Sequence, residues 1–192
     1  LIGALARWEE YVIVGGIAAT QHGATRTTVD LDTRPRWTRE NLDRVARVLM
    51  EFEARIAITP TESVPVPLID GVLISRTEIG TWQTTAGGLD VLSGIPKTAT
   101  ETIGYEQLIG DAVTVILAGV AVHVVALAAL IRSKQIANRP KDHEALPELE
   151  AIAGRQLADL GHGDPSAGQI VENRQPRPCR LSDLGRDSPE LG

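Results

Sequence analysis

Cysteine is almost missing. Cys179 is the single thiol in 192 residues, which excludes an internal disulfide and any cysteine-based zinc cluster and makes a cytosolic compartment the expectation. Aromatic residues amount to 3% of a composition that is 43% hydrophobic, so the core has to be built from Val, Ile, Leu and Ala. No apolar run reaches the ~20 residues that a bilayer-spanning helix needs, and the charged-then-apolar pattern of a secretion signal is not seen. The expectation is a soluble, cytoplasmic protein with no membrane partner. Positive charge is also short: 19 Lys and Arg face 25 Asp and Glu, for a net −6, which argues against wrapping nucleic acid by bulk attraction. No internal repeat, Walker loop or zinc-ligand spacing occurs.

What is present concentrates first in residues 11–32, YVIVGGIAATQHGATRTTVDLD. A short apolar run ends in Gly15 and Gly16, a helix-compatible stretch follows, and a second run presents Asp30 and Asp32. Residues two apart in a strand share a face, so the two carboxylates look into one pocket with Leu31 behind them. Paired carboxylates suit a hard divalent cation, magnesium or manganese, which takes oxygen ligands and leaves room for substrate phosphates. Taken singly, the glycines also serve an ordinary strand-to-helix turn and an Asp-x-Asp occurs in surface loops. The order strand, diglycine, helix, acidic strand is what joins them.

Along the rest of the chain the periodicity predicts a helix over 1–10, a buried strand over 11–14, and a helix over 15–22 whose first amides face a phosphate and which Gly23 closes. Thr38 is the expected N-cap of a helix over 39–54, with Leu42, Val45, Ala46, Leu49 and Met50 on its packed face. Pro60, Pro65 and Pro67 break 55–70 into short extended pieces, and Asp70 with Gly71 reads as a turn. Strands are expected over 72–77, 79–84 and 89–92, the last entered through a turn at Gly87 and Gly88 and carrying Asp90. A helix over 105–112 and a hairpin over 112–125 around Ala118 and Gly119 follow, with His123 on the outer face. Residues 126–149 are helical, with a break before Pro147. Two basic groups, Arg34, Arg36 and Arg39, then Arg132, Lys134, Arg139 and Lys141, offer a local rim for an RNA end. The order of expected strands and helices gives an α/β (α+β) domain over 1–125 with a small C-terminal helical part over 126–158, and the polar, Gly- and Pro-interspersed composition beyond it implies a disordered tail over 159–192 that contains Cys179.

The diglycine followed by Asp-x-Asp resembles the motif of the nucleotidyltransferase superfamily, and residues 11–32 together with the run LIRSKQIANRPKD at 130–142 resemble its AbiEii-like and MenT-type branch, the toxins of bacterial toxin–antitoxin pairs. The resemblance implies a nucleotidyltransferase-like mixed sheet flanked by helices and metal-dependent transfer of a nucleoside monophosphate from a nucleoside triphosphate. Gly15, Gly16, Arg26 and Lys134 would then meet the nucleotide, Asp30 and Asp32 the metal. Asp142 would support the site from the next helix, and Asp90 stands where the superfamily has its third acidic residue, as general base, metal ligand or structural carboxylate. An exposed strand-edge residue is the plainer reading of Asp90, and a snorkelling lysine and a helix cap are those of Lys134 and Asp142. The branch further implies an RNA acceptor, a transfer-RNA 3′ end, and a cognate antitoxin protein, with Thr28 (neighbours Thr25 and Thr27) as the candidate for regulatory phosphorylation. Nucleotidylation of a protein hydroxyl and an inactive antitoxin- or RNA-binding module are the alternatives.

Overall fold

The computed structural model describes residues 1–8, 10–28 and 30–161. The chain opens with α1 (Ile2–Trp8), β1 (Tyr11–Val14), α2 (Gly15–Gln21), β2 (Asp30–Pro35) and α3 (Arg39–Glu51). Two short strands, β3 (Arg55–Ala57) and β4 (Ser63–Pro65), lead to α4 (Gly71–Ser75) and the hairpin β5 (Ile79–Thr84) and β6 (Gly87–Leu92). A small ribbon, β7 (Ile95–Pro96) and β8 (Thr102–Ile103), precedes α5 (Tyr105–Gly110), and the hairpin β9 (Val113–Leu117) and β10 (Val120–Val124) precedes α6 (Leu127–Ala137) and α7 (Pro140–Gly161).

Eight strands form one mixed sheet in the order β4-β3-β5-β6-β2-β1-β10-β9, with β7 and β8 as a separate pair. β2 runs parallel to β6 and β1 parallel to β10, while the other neighbours are antiparallel. β1 is buried along its whole length, as a central strand covered on both faces must be. The β9–β10 turn places Ala118 and Gly119 at φ 51 and 80, the left-handed pair that a two-residue hairpin turn requires. The core is aliphatic, centred on Ile13, Leu42, Leu49, Ile74, Leu89, Leu130 and Leu149, in keeping with the scarcity of aromatics.

α3 starts where expected: the Thr38 side chain accepts from the Asn41 amide. Asn41 is buried and locks the helix to the entry of β1, accepting from the Glu10 amide at 3.0 Å and donating to the Glu10 carbonyl at 2.9 Å. Met50 falls off the packed face and is 48% exposed.

Three expectations are corrected. Residues 72–77 are not a strand; α4 takes up 72–75, because Asp70 caps it by accepting from the Leu73 amide at 2.8 Å, Ile74 is buried, and the helix packs against α3. Asp70 is therefore a helix cap. α7 does not break at Pro147 but runs through it to Gly161, held by Ala145, Leu149 and Ile152, which are buried on both sides of the proline. α7 closes the described residues at Gly161. The rest of the expected tail, 162–192 with Cys179, lies outside the described residues. Among those that are described, no helix is long and apolar enough to cross a membrane.

Candidate active site

β2 lies beside β6 in a register that sets Asp32 opposite Asp90 and Asp30 opposite Gly88. Three carboxylates thus share one corner of the sheet, two on β2 and one on its parallel neighbour. Glycine backbone makes room for them: a Cβ on Gly88 would collide with the Asp30 carboxylate, one on Gly15 with that of Asp32, and one on Gly16 with the Thr28 side chain. Gly15 also stands at φ 64, a conformation that other residues adopt only with strain. The Gly16 N–H donates to Asp32 Oδ2 at 3.3 Å, so this amide orients a carboxylate. The two diglycines, Gly15-Gly16 and Gly87-Gly88, are the beds on which the acidic side chains lie.

Facing them is a cationic wall built by the α6–α7 corner. Asn138, at φ 51, ends α6 in a left-handed residue, and Pro140 opens α7 with its fixed φ already helical. The corner brings Lys134 and Arg139 onto Asp142, whose side chain is fully buried: Lys134 Nζ lies 3.2 Å from Asp142 Oδ1 and Arg139 Nε 2.7 Å from Oδ2. Burial opposes ionisation of Asp142, yet the hydrogen bonds and charges of Arg139 and Lys134 outweigh it and hold the carboxyl below its ordinary range. Asp142 is thus an anchor that fixes two cations. Lys141 adds a third, acting on Asp32 and Asp90 through its charge.

The segment between α2 and β2 closes the third side. Thr25 donates from both its amide and its hydroxyl to Glu148, each at 2.8 Å, and Arg26 pairs with Glu144 at 2.9 Å. A cavity of about 190 Å³ results, lined by Gly15, Gly16, Arg26, Thr28, Asp30, Asp32, Asp90 and Lys134. Every residue singled out in the sequence for the nucleotide or the metal borders this one space, with Asp142 supporting it from behind. The first basic group does not border it. Arg34 is buried against Trp37 and the Pro35 carbonyl, Arg36 pairs with Glu10 and Glu106, and Arg39 pairs with Asp43.

The sequence reading missed Glu144, Glu148 and Gly88 as parts of this site, and counted Arg139 and Lys141 only as rim charges. For Gly88 no local signal existed, because Asp30 reaches it only through the pairing of β2 with β6.

Crowding shapes the electrostatics. Burial pushes the Asp32 carboxyl above its ordinary range, with the Asp90 charge adding to it and the Gly16 amide and Lys141 opposing. Asp90 is raised as well, first by burial and then by Asp30, against a hydrogen bond with Thr81. Among the described residues no group of three or more His, Cys, Asp or Glu is placed to hold a metal ion. The donor set of Asp30 and Asp32 with Asp90 alongside is nevertheless hard oxygen, mutually repelled and incomplete, which fits a magnesium-type ion that keeps water and phosphate ligands.

No protein-family model and no curated protein matches the chain. Solved structures do. The aminoglycoside enzyme ANT(2″)-Ia in complex with adenylyl-2″-tobramycin aligns at a TM-score of 0.50 with 15% identity, over 83% of this chain and 88% of that one. The lincosamide antibiotic adenylyltransferase LnuA, lincomycin-bound, aligns at 0.47 with 13% identity, over 74% and 86%. At such identity the likeness is one of fold: this chain has a nucleotidyltransferase-like fold, a mixed sheet flanked by helices.

Proposed function

We propose that this protein is a nucleotidyltransferase that moves a nucleoside monophosphate from a nucleoside triphosphate to an acceptor hydroxyl. The observation that carries the reading is the register of β2 and β6, which gathers Asp30, Asp32 and Asp90 on glycine backbone opposite Lys134 and Arg139. Asp30 and Asp32 would hold a magnesium or manganese ion, whose chemistry is to neutralise charge on the phosphates as pyrophosphate departs. Lys134, Arg139 and Lys141, with Arg26 from the α2–β2 segment, would bind the triphosphate. Asp90 would take the proton of the attacking hydroxyl, a task helped by a carboxyl raised toward neutrality.

The acceptor we favour is RNA, a transfer-RNA 3′ end, and with it the role of a growth-arresting toxin paired with an antitoxin. Support comes from the two segments that resemble the toxin branch, both of which border the same cavity. Thr28 fits a regulatory role, since it borders the cavity and its side chain lies over Gly16. A phosphate there would put negative charge where a triphosphate must enter.

Incubation with each α-labelled nucleoside triphosphate and magnesium, together with total RNA or with cell protein, tests the reading. Label on an RNA 3′ end is the expected result. Label on protein would move the acceptor to a protein hydroxyl, and no label in any combination, with Mg²⁺ or Mn²⁺, would leave an inactive binding module.

A further inference from the structure

A second and larger cavity, about 350 Å³, adjoins the first. The two share Gly15, Asp32, Asp90, Lys134, Arg139 and Lys141, so the carboxylates and cations form a partition with space on either side. What each cavity owns beyond the partition differs in kind. The first has Arg26, Asp30 and Glu148, the last of these engaged by Thr25. The second is walled by Leu92 at the end of β6, Ile95 and Pro96 of the β7–β8 ribbon, and Leu130 of α6, with Glu78 and no lysine or arginine of its own.

A triphosphate carries several negative charges and needs cations and the paired carboxylates together, and the first cavity alone adds a fourth cation, Arg26, to the shared three and sets Asp30 beside Asp32. Away from the partition and its Lys134, Arg139 and Lys141, the only charged side chain of the second among the described residues is Glu78, so phosphate held beyond the partition meets no cation, and apolar walls with the hydroxyls of Ser93 and Thr102 remain. Its volume lies within the ~300–1,000 Å³ of small-ligand pockets. Resting on the nucleotidyl-transfer reading above, we propose that the β7–β8 ribbon, β6 and α6 form the acceptor site, which admits one compact, hydroxyl-bearing ring unit that is uncharged or cationic and excludes phosphate on that unit. Its hydroxyl reaches the partition at Asp90. The acceptor oxygen forms a bond to the α-phosphorus, the bond from that phosphorus to the bridging oxygen of the β-phosphate breaks, pyrophosphate leaves, and the hydroxyl proton passes to the Asp90 carboxylate.

Such a unit can be the terminal nucleoside of an RNA, with its phosphodiester outside, or a free polyhydroxylated compound. The test uses Ser93→Trp and Ala137→Phe to fill the second cavity and Thr28→Phe to fill the first, all checked for folding by circular dichroism. Binding of an α,β-methylene triphosphate with Mg²⁺ should stay within about twofold of wild type in the first two and fall at least about tenfold in the third, while kcat/KM for the acceptor falls at least about tenfold in the first two. Label that vanishes when the RNA 3′ end is phosphorylated names RNA as the source; label on a free nucleoside or aminocyclitol names the small compound. Transfer at full rate in both second-cavity variants overturns the proposal. So does their loss of analogue binding, and so does equal use of an acceptor phosphorylated on its reacting unit. A wild-type chain that binds no triphosphate removes the earlier reading and this one with it, whereas binding retained with unhindered transfer removes this one alone.

Discussion

At the residue scale, the site is a negotiation between glycine backbone and carboxylates. Gly88 is the cleaner probe of the two beds, because its φ is ordinary and only the missing side chain matters, whereas Gly15 combines contact with a left-handed φ. Gly88→Ala should fold with a loss of about 1–3 kcal/mol, while the displaced Asp30 lowers transfer at least about tenfold; a denaturant melt beside a transfer assay separates the two. Asp32→Asn should do the opposite to stability. The folded state raises this carboxyl, so it holds a proton that the unfolded chain releases, and the wild type loses stability as pH rises from 3.8, the unfolded value, through the raised folded one. The asparagine variant is spared that loss. Its Tm in metal-free buffer should exceed wild type at pH 7, by about 2–4 °C for each kcal/mol relieved, the gap closing toward pH 4, and transfer should vanish. A gap that is constant with pH would show that burial and the neighbouring carboxylates do not raise this carboxyl in the folded state. Asp30 and Asp32 were readable because a strand alternates faces. Gly88 was not, since its partner Asp30 lies far away in sequence and only strand pairing brings them together.

At the scale of elements, the α6–α7 corner decides whether cations face the carboxylates. Asp142 is its keystone: buried, it accepts from Lys134, from the Arg139 side chain and from the Arg139 amide at 3.3 Å. Asp142→Ala leaves Lys134, itself only 12% exposed, without its counter-charge, which should lower stability by about 3 kcal/mol and raise KM for the triphosphate more than it lowers kcat. The corner was legible in the sequence as a local run from Lys134 to Asp142. The helix beyond it was not. Pro147 signals a break by local rules, but buried apolar residues before and after it hold one continuous element together, and Pro147→Ala should therefore raise unfolding free energy by up to about 3 kcal/mol by restoring the missing backbone hydrogen bond. A fall in stability would mean that the proline shapes the helix's seat on the core. Residues 72–77 failed for the mirror reason: Val, Leu and Ile read as strand, while a cap at Asp70 and burial against α3 made a helix of five residues.

At the scale of the whole molecule, the first basic group is not free to grip a polyanion. Arg36 and Arg39 are paired with carboxylates and Arg34 is buried, so these three do not form a track for an RNA backbone on a chain whose net charge is −6. The sheet order behind this arrangement could not be read from the chain, because the parallel pairings β1–β10 and β2–β6 join distant segments, and the two-residue strands of the ribbon are too short to leave a periodic trace. If RNA is the acceptor, it is held by one terminal unit and by the partition cations rather than by a groove. The affinity should then fall only gently with salt: each phosphate neutralised on a single strand contributes about −0.7 to the slope of log K against log salt, so two or three contacts give roughly −1.4 to −2.1. Titration of transfer RNA at several potassium chloride concentrations, with magnesium fixed, measures it. A slope steeper than about −5 would require an extended basic track that these residues do not provide, and would place the RNA on a surface other than the two cavities.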